Sequence, residues 1–241
     1  MDTPRGYIIC ATPRTGSTLL CRLVASTGVL GRPESFFREP DEASWALRFN
    51  LRTVGPRVED YRDFVRAVRD AGTTPNGVFG ARIMWGSVGR IRRGLKAPIH
   101  QSDLAALQEA FGSLRFVHLR RSDEIGQAVS WTRAEQTGYW QEGDSVQGPA
   151  EPDVTRMVQL VRTIRQHNAS WRSWFAQNGI EPHHLDYEDL TQRPDVALRE
   201  IAALVGLSAP LIWKVEGLPA RQADRMNAKW SALLRDAMEE G

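Results

Sequence analysis

Cysteine is scarce. Cys10 and Cys21 are the two in 241 residues, and their spacing matches neither a disulfide framework nor a set of metal ligands, which fits a reducing compartment. Long apolar runs are missing as well. Nothing approaches the roughly 20 residues of a membrane span, and the apolar run near the N-terminus covers only residues 7–11. Neither a signal peptide nor an anchor is therefore expected, and the cytoplasm is the default compartment. Nor is there an excess of one charge: 31 Lys and Arg face 29 Asp and Glu, a formal net charge of +2. That balance gives no argument for non-specific nucleic-acid binding. No low-complexity tract or repeat interrupts a composition that is 41% hydrophobic and 25% charged. One α/β domain spanning residues 1–241 is the expectation.

What is present is a strand that turns sharply into a helix. Residues 7–11 form an apolar strand, 12–16 a turn, and a helix opens at Ser17 and Thr18. The first N–H groups of such a helix have no partner within it and carry the positive end of the macrodipole, so the junction welcomes an anion. Gly16 permits close approach of the backbone, and the two hydroxyls add donors. The turn is not a Walker loop: Ser17 stands where the lysine would be, and its one cation, Arg14, precedes the glycine. It suits a phosphate-like anion without a metal beside it.

Downstream, residues 29–33 read as a second short strand, which would aim Glu34 at the same crevice as a general base, with Glu39 as the alternative. Helices are expected at 41–50 and 56–71, and a strand at 78–85 carries Arg82 and Trp85. Arg90, Arg92, Arg93 and Lys96 read as a solvated loop face. Ser102 caps a helix to 110, and 114–119 form a strand in which His118 reads as core. Then come Arg121 and a helix capped by Ser122 that bears Ser130. Residues 138–152, rich in Gly, Pro and acids, form a candidate lid with Tyr139 and Trp140 as its aromatics. A long core helix follows from 153 to 179, then a strand, and a helix from 194 to 206.

The stretch Thr12-Pro13-Arg14-Thr15-Gly16-Ser17-Thr18-Leu19-Leu20 resembles the 5′-phosphosulfate loop of sulfotransferases that use 3′-phosphoadenosine 5′-phosphosulfate (PAPS), nearest to the bacterial trehalose 2-sulfotransferase (Stf0-like) family. Arg121 with Ser130 nine residues later resembles that family's 3′-phosphate site. Residues 80–85, 187–190 and 221–224 match further family segments in the same order. The resemblance implies a P-loop-like three-layer fold with a mostly parallel sheet and helices on both faces. It implies a PAPS-dependent transferase that sulfates a hydroxyl of a trehalose-like carbohydrate, a glycolipid or another small acceptor, without a metal and as a homodimer. Arg14, Thr15, Gly16, Ser17, Thr18, Arg121, Ser130 and Arg221 would bind the donor. Glu34 and Arg14 would be catalytic, with Arg14 stabilising charge on the sulfuryl oxygens. Ser35, Phe37, Arg82 and Trp85 would meet the acceptor. The family's base directly precedes a Phe-Phe pair, a position held here by Ser35, with Glu34 one residue earlier. A nucleotide-dependent kinase on the same loop, and a non-catalytic nucleotide- or sugar-binding protein, are the alternatives.

Overall fold

Four parallel strands in the order β4-β1-β5-β6 form the centre of the computed structural model, which describes residues 5–140, 144–208 and 225–239. In chain order, β1 (Gly6–Ala11) leads into α1 (Ser17–Ser26), followed by α2 (Glu39–Arg48) and a small hairpin, β2 (Thr53–Val54) and β3 (Arg57–Val58). Next come α3 (Tyr61–Gly72), β4 (Phe79–Met84), α4 (Ser87–Leu95), α5 (Asp103–Phe111) and β5 (Leu114–Arg120). The remainder is α6 (Glu124–Thr137), α7 (Val154–Gln177), β6 (His183–Asp186), α8 (Tyr187–Gln192), α9 (Pro194–Leu204) and α10 (Arg225–Glu239).

The alternation of strand side chains builds three layers. Ile8, Cys10, Ala81, Ile83 and Phe116 point to one face, where they pack with Phe64, Leu107, Trp171 and Phe175 from α3, α5 and α7. Tyr7, Ile9, Ala11, Val117 and Leu119 point to the other, against Leu20 and Val24 of α1 and Leu198 and Ile201 of α9. A third cluster joins α6, α7 and α10 through Val129, Leu160 and Trp230. After β1 the chain adds β4 on one side and then crosses to add β5 on the other. This reversal opens a crevice beyond the carboxyl ends of the strands, and both strand-to-helix junctions point into it.

Four local expectations change. Residues 29–33 do not form a strand; they run beside β4 as irregular chain, joined to it where the Arg82 N–H donates to the Glu34 carbonyl at 3.2 Å. Gly31, at φ 84° and with its Cα where an added Cβ would lie 2.8 Å from the Gly80 nitrogen, and Pro33, which has no N–H, together prevent a ladder. The basic cluster is a helix, not a loop. Arg90 of α4 pairs with Glu39 at 2.8 Å and Arg92 with Asp103 at 3.0 Å, so the arginines clamp α4 to α2 and α5. The N-cap of α6 is Asp123, which accepts from the Gly126 N–H at 2.8 Å, in place of Ser122. The helix expected over 56–71 starts late: Arg57 and Val58 pair with Val54 and Thr53 in the hairpin, and Asp60 caps α3, which begins at Tyr61. Ser102 caps α5 as expected, at 3.1 Å from the Ala105 nitrogen.

Candidate active site

The turn between β1 and α1 is held from three sides. Gly16 takes φ 79° as the N-cap residue of α1, and no side chain caps the helix there, so its first amides point into the crevice. Thr15 does not join them. Its N–H and hydroxyl both bond the Thr12 carbonyl, at 3.3 and 2.9 Å, and the side chain is wholly buried. Thr15 therefore closes the turn from within, and its hydroxyl is used there rather than pointing into the crevice. From α7, Trp171 Nε1 donates to the Ala11 carbonyl at 3.1 Å, and Asn168 Oδ1 accepts from the Thr12 hydroxyl at 3.0 Å. From α6, Gln127 Nε2 donates to the Pro13 carbonyl at 2.7 Å.

Two cationic centres flank this turn. On the β4 side, Arg82 lies on the same face of the sheet as α1, and its Nη1 reaches Thr18 Oγ1 at 2.7 Å and Ser17 Oγ at 3.2 Å. Its Nε is buried without a partner among the described residues. Burial raises the Cys21 thiol to about 11, an effect that Arg82 opposes and Glu34 adds to, so both charges act on the same part of α1. Glu34 is exposed, and its carboxylate makes no ion pair among the described residues. Glu39, the alternative base, is held by Arg90.

On the β5 side, Arg14 adopts φ 66°, a strained conformation for a residue other than glycine. Its guanidinium turns away from α1: Nε donates to Ser130 Oγ at 2.9 Å, and Nη1 donates to the Trp140 carbonyl. Arg121 Nη1 donates to the Arg14 carbonyl at 3.3 Å, and its guanidinium stacks over the Tyr187 ring at 4.9 Å while its Nε stays buried and unpartnered among the described residues. Burial, then Arg121 and Arg133, lower the Arg14 pKa. Asp123 meets Arg121 Nη2 at 3.3 Å and relieves part of this repulsion, and a bound anion would relieve the rest. Tyr187 completes the arrangement, since a Cβ on Gly16 would sit 2.4 Å from its ring.

Arg14, Gly16, Ser17, Thr18, Arg82, Arg121 and Ser130 are thus brought to one crevice, with Glu34 at its β4 edge. Phe37 is not among them: it is 1% exposed and packs edge-on against Phe64 and Phe111, inside the core. Trp85 packs edge-on against Trp171 at 5.1 Å and is partly exposed, and Ser35 is half-buried beside Glu34. Arg221 lies outside the described residues. Sequence reading missed Gln127, Tyr187 and Asn168. Gln127 lies three residues before Ser130 on one helix face, a spacing that links it to the site, whereas Tyr187 was matched to a family segment but given no contact in the site.

Three comparisons bear on this arrangement. A family model described as Stf0 sulphotransferase matches residues 6–236. The chain is 30% identical to the trehalose 2-sulfotransferase of Mycolicibacterium smegmatis, a match covering 100% of this chain and 98% of that protein. It is 29% identical to the trehalose 2-sulfotransferase of Mycobacterium tuberculosis, over 94% of this chain and 92% of that one. Among solved structures, the sulfotransferase domain from the curacin biosynthetic pathway superposes with a TM-score of 0.53 at 13% identity. That match covers 95% of this chain and 83% of the other, and it speaks for the fold.

Proposed function

The chain belongs to the Stf0 sulphotransferase family, and from that premise we propose that it moves a sulfuryl group from PAPS to a hydroxyl of a trehalose-like carbohydrate. The observation that carries this reading is the pair of cationic centres on either side of one helix N-terminus, which suits a donor bearing two separate anionic groups. The unpartnered Nε of Arg82 and of Arg121 fit such a molecule, because each leaves a buried N–H without an acceptor. In this reading Arg121, Ser130 and Arg14 grip the 3′-phosphate. Arg82, the hydroxyls of Ser17 and Thr18, and the first amides of α1 hold the 5′ end.

The roles of the arginines follow from where they point. Arg82, at 2.7 Å from Thr18 Oγ1, meets the charge that develops on the sulfuryl and bridging oxygens, while Arg14 serves the nucleotide end. The sulfuryl role expected of Arg14 thereby passes to Arg82. Glu34 takes the acceptor's proton from the β4 edge of the crevice; its exposure leaves room for a sugar to approach it. The transfer is an in-line displacement in which sulfur gains the acceptor oxygen as the bond to the donor's bridging oxygen breaks, and the two electrons of that bond leave with the nucleotide. One sulfotransferase domain working in the cytoplasm as a homodimer completes the proposal.

The test is a turnover assay with PAPS and trehalose that follows the sulfated sugar by mass. The expected result is product from the parent and a loss of about 10²- to 10⁴-fold in Glu34→Gln, with donor affinity kept. Unchanged turnover in Glu34→Gln would remove Glu34 as the base, and a parent that sulfates no carbohydrate would overturn the acceptor class.

A further inference from the structure

At the opposite end of the sheet, where β1, β4 and β5 begin, lies a cleft of about 620 Å³. Its walls carry Arg5, Arg32 and Arg69 with a single acid, Asp70, and its floor includes Phe79 and Phe111. The two rings stack at 5.3 Å and 7°, and each is 4% exposed. Arg5 donates to the Asn76 carbonyl at 3.3 Å, and none of the three arginines has a carboxylate partner among the described residues. All three are exposed, and what sets them apart is that they line one concavity together. Basic and acidic residues nearly balance overall, so three unpaired guanidiniums around one concavity form a local excess of positive charge.

We propose that this cleft is a second ligand site, for a small phosphorylated molecule with an apolar body. Three guanidiniums less one carboxylate leave two positive charges, which match a phosphate monoester, doubly charged at neutral pH, better than a singly charged sulfate ester. Guanidinium forks suit phosphate oxygens, and the volume falls in the range of small-molecule pockets. The small exposed edges of Phe79 and Phe111 are the apolar part of the floor that the ligand's body would meet. The site shares no residue with the crevice that holds Arg14 and Arg121, and it does not depend on the reaction proposed there.

Phenyl phosphate is a suitable probe, titrated calorimetrically against the protein saturated with adenosine 3′,5′-bisphosphate and, separately, against Arg121→Ala alone, so that the first site is silenced in two ways. One saturable event is expected in both. Arg32→Ala and Arg69→Ala should each weaken it about tenfold, phenyl sulfate should bind about tenfold more weakly than phenyl phosphate, and Arg66→Ala, an exposed arginine of the same α3 already paired with Asp63 at 3.0 Å, should change nothing. No saturable event, equal binding of the two esters, or affinity indifferent to Arg32 and Arg69 would overturn the proposal and leave a solvated arginine surface.

Discussion

At the scale of single residues, the account turns on which arginine meets which charge. Arg82 contacts the two hydroxyls that open α1, whereas Arg14 contacts Ser130. Arg82→Ala should therefore lower kcat by about 10²- to 10³-fold, the usual cost of one preorganised transition-state donor, with a smaller change in donor KM. Arg14→Ala and Arg121→Ala should instead raise donor KM. Steady-state kinetics on the three variants decide the matter, and a kcat defect confined to Arg14→Ala would reverse the assignment. Gly16 gives a second check. Its φ of 79° and the 2.4 Å approach of Tyr187 to an added Cβ make Gly16→Ala doubly unfavourable. A loss of about 1–3 kcal/mol is expected by denaturant unfolding. Tyr187→Ala should return only the steric part, so the double variant should be less stable than Tyr187→Ala by the cost of the strained backbone.

At the scale of elements, β5 carries a buried liability. His118 is 1% exposed, and both ring nitrogens lack partners among the described residues. Burial, followed by His184, Arg120 and Arg172, pushes its pKa down to about 3 from the ordinary 6.5. Between those values the unfolded chain binds the proton and the native one does not, so stability falls as pH drops below about 6.5, by up to about 1.4 kcal/mol per pH unit. His118→Leu should reduce that slope, leaving the smaller share of His167 and His184, whose pKa values burial also lowers. Unfolding midpoints measured from pH 7 to pH 4 test it, and an unchanged slope would mean that the ring finds a partner. Burial of His118 was legible from its place inside an apolar strand. So were the strands β1, β4 and β5, the helices α3, α5 and α7, and the cap at Ser102, because periodicity and capping chemistry are local. The run at 29–33 was not legible: its apolar residues suggest a strand, but what decides is Gly31 lying against Gly80, a tertiary contact. The arginines of α4 misled for a related reason, since their acidic partners come from α2 and α5.

At the scale of the whole molecule, the candidate site exists because the crossing of the sheet brings two distant junctions together. The motifs for each junction could be read from sequence, and with them Arg14, Gly16, Arg121 and Ser130. Their convergence was implied only by the family resemblance, and the bracing by Gln127 and Trp171 and the stacking of Tyr187 were not legible, because these join residues far apart in the chain. If that convergence serves a nucleotide with two separate anionic groups, adenosine 3′,5′-bisphosphate should stabilise the native protein on its own. Ligand at 100 times its Kd is worth about 2.7 kcal/mol, or about 5–10 °C in Tm for a chain of this size. The most direct measurement is a thermal titration with this bisphosphate beside ADP with Mg²⁺, on the parent and on Arg121→Ala. The account expects a shift of that size with the bisphosphate, little with ADP and Mg²⁺, and loss of the shift in Arg121→Ala. A preference for ADP with Mg²⁺, or a shift indifferent to Arg121, would contradict it.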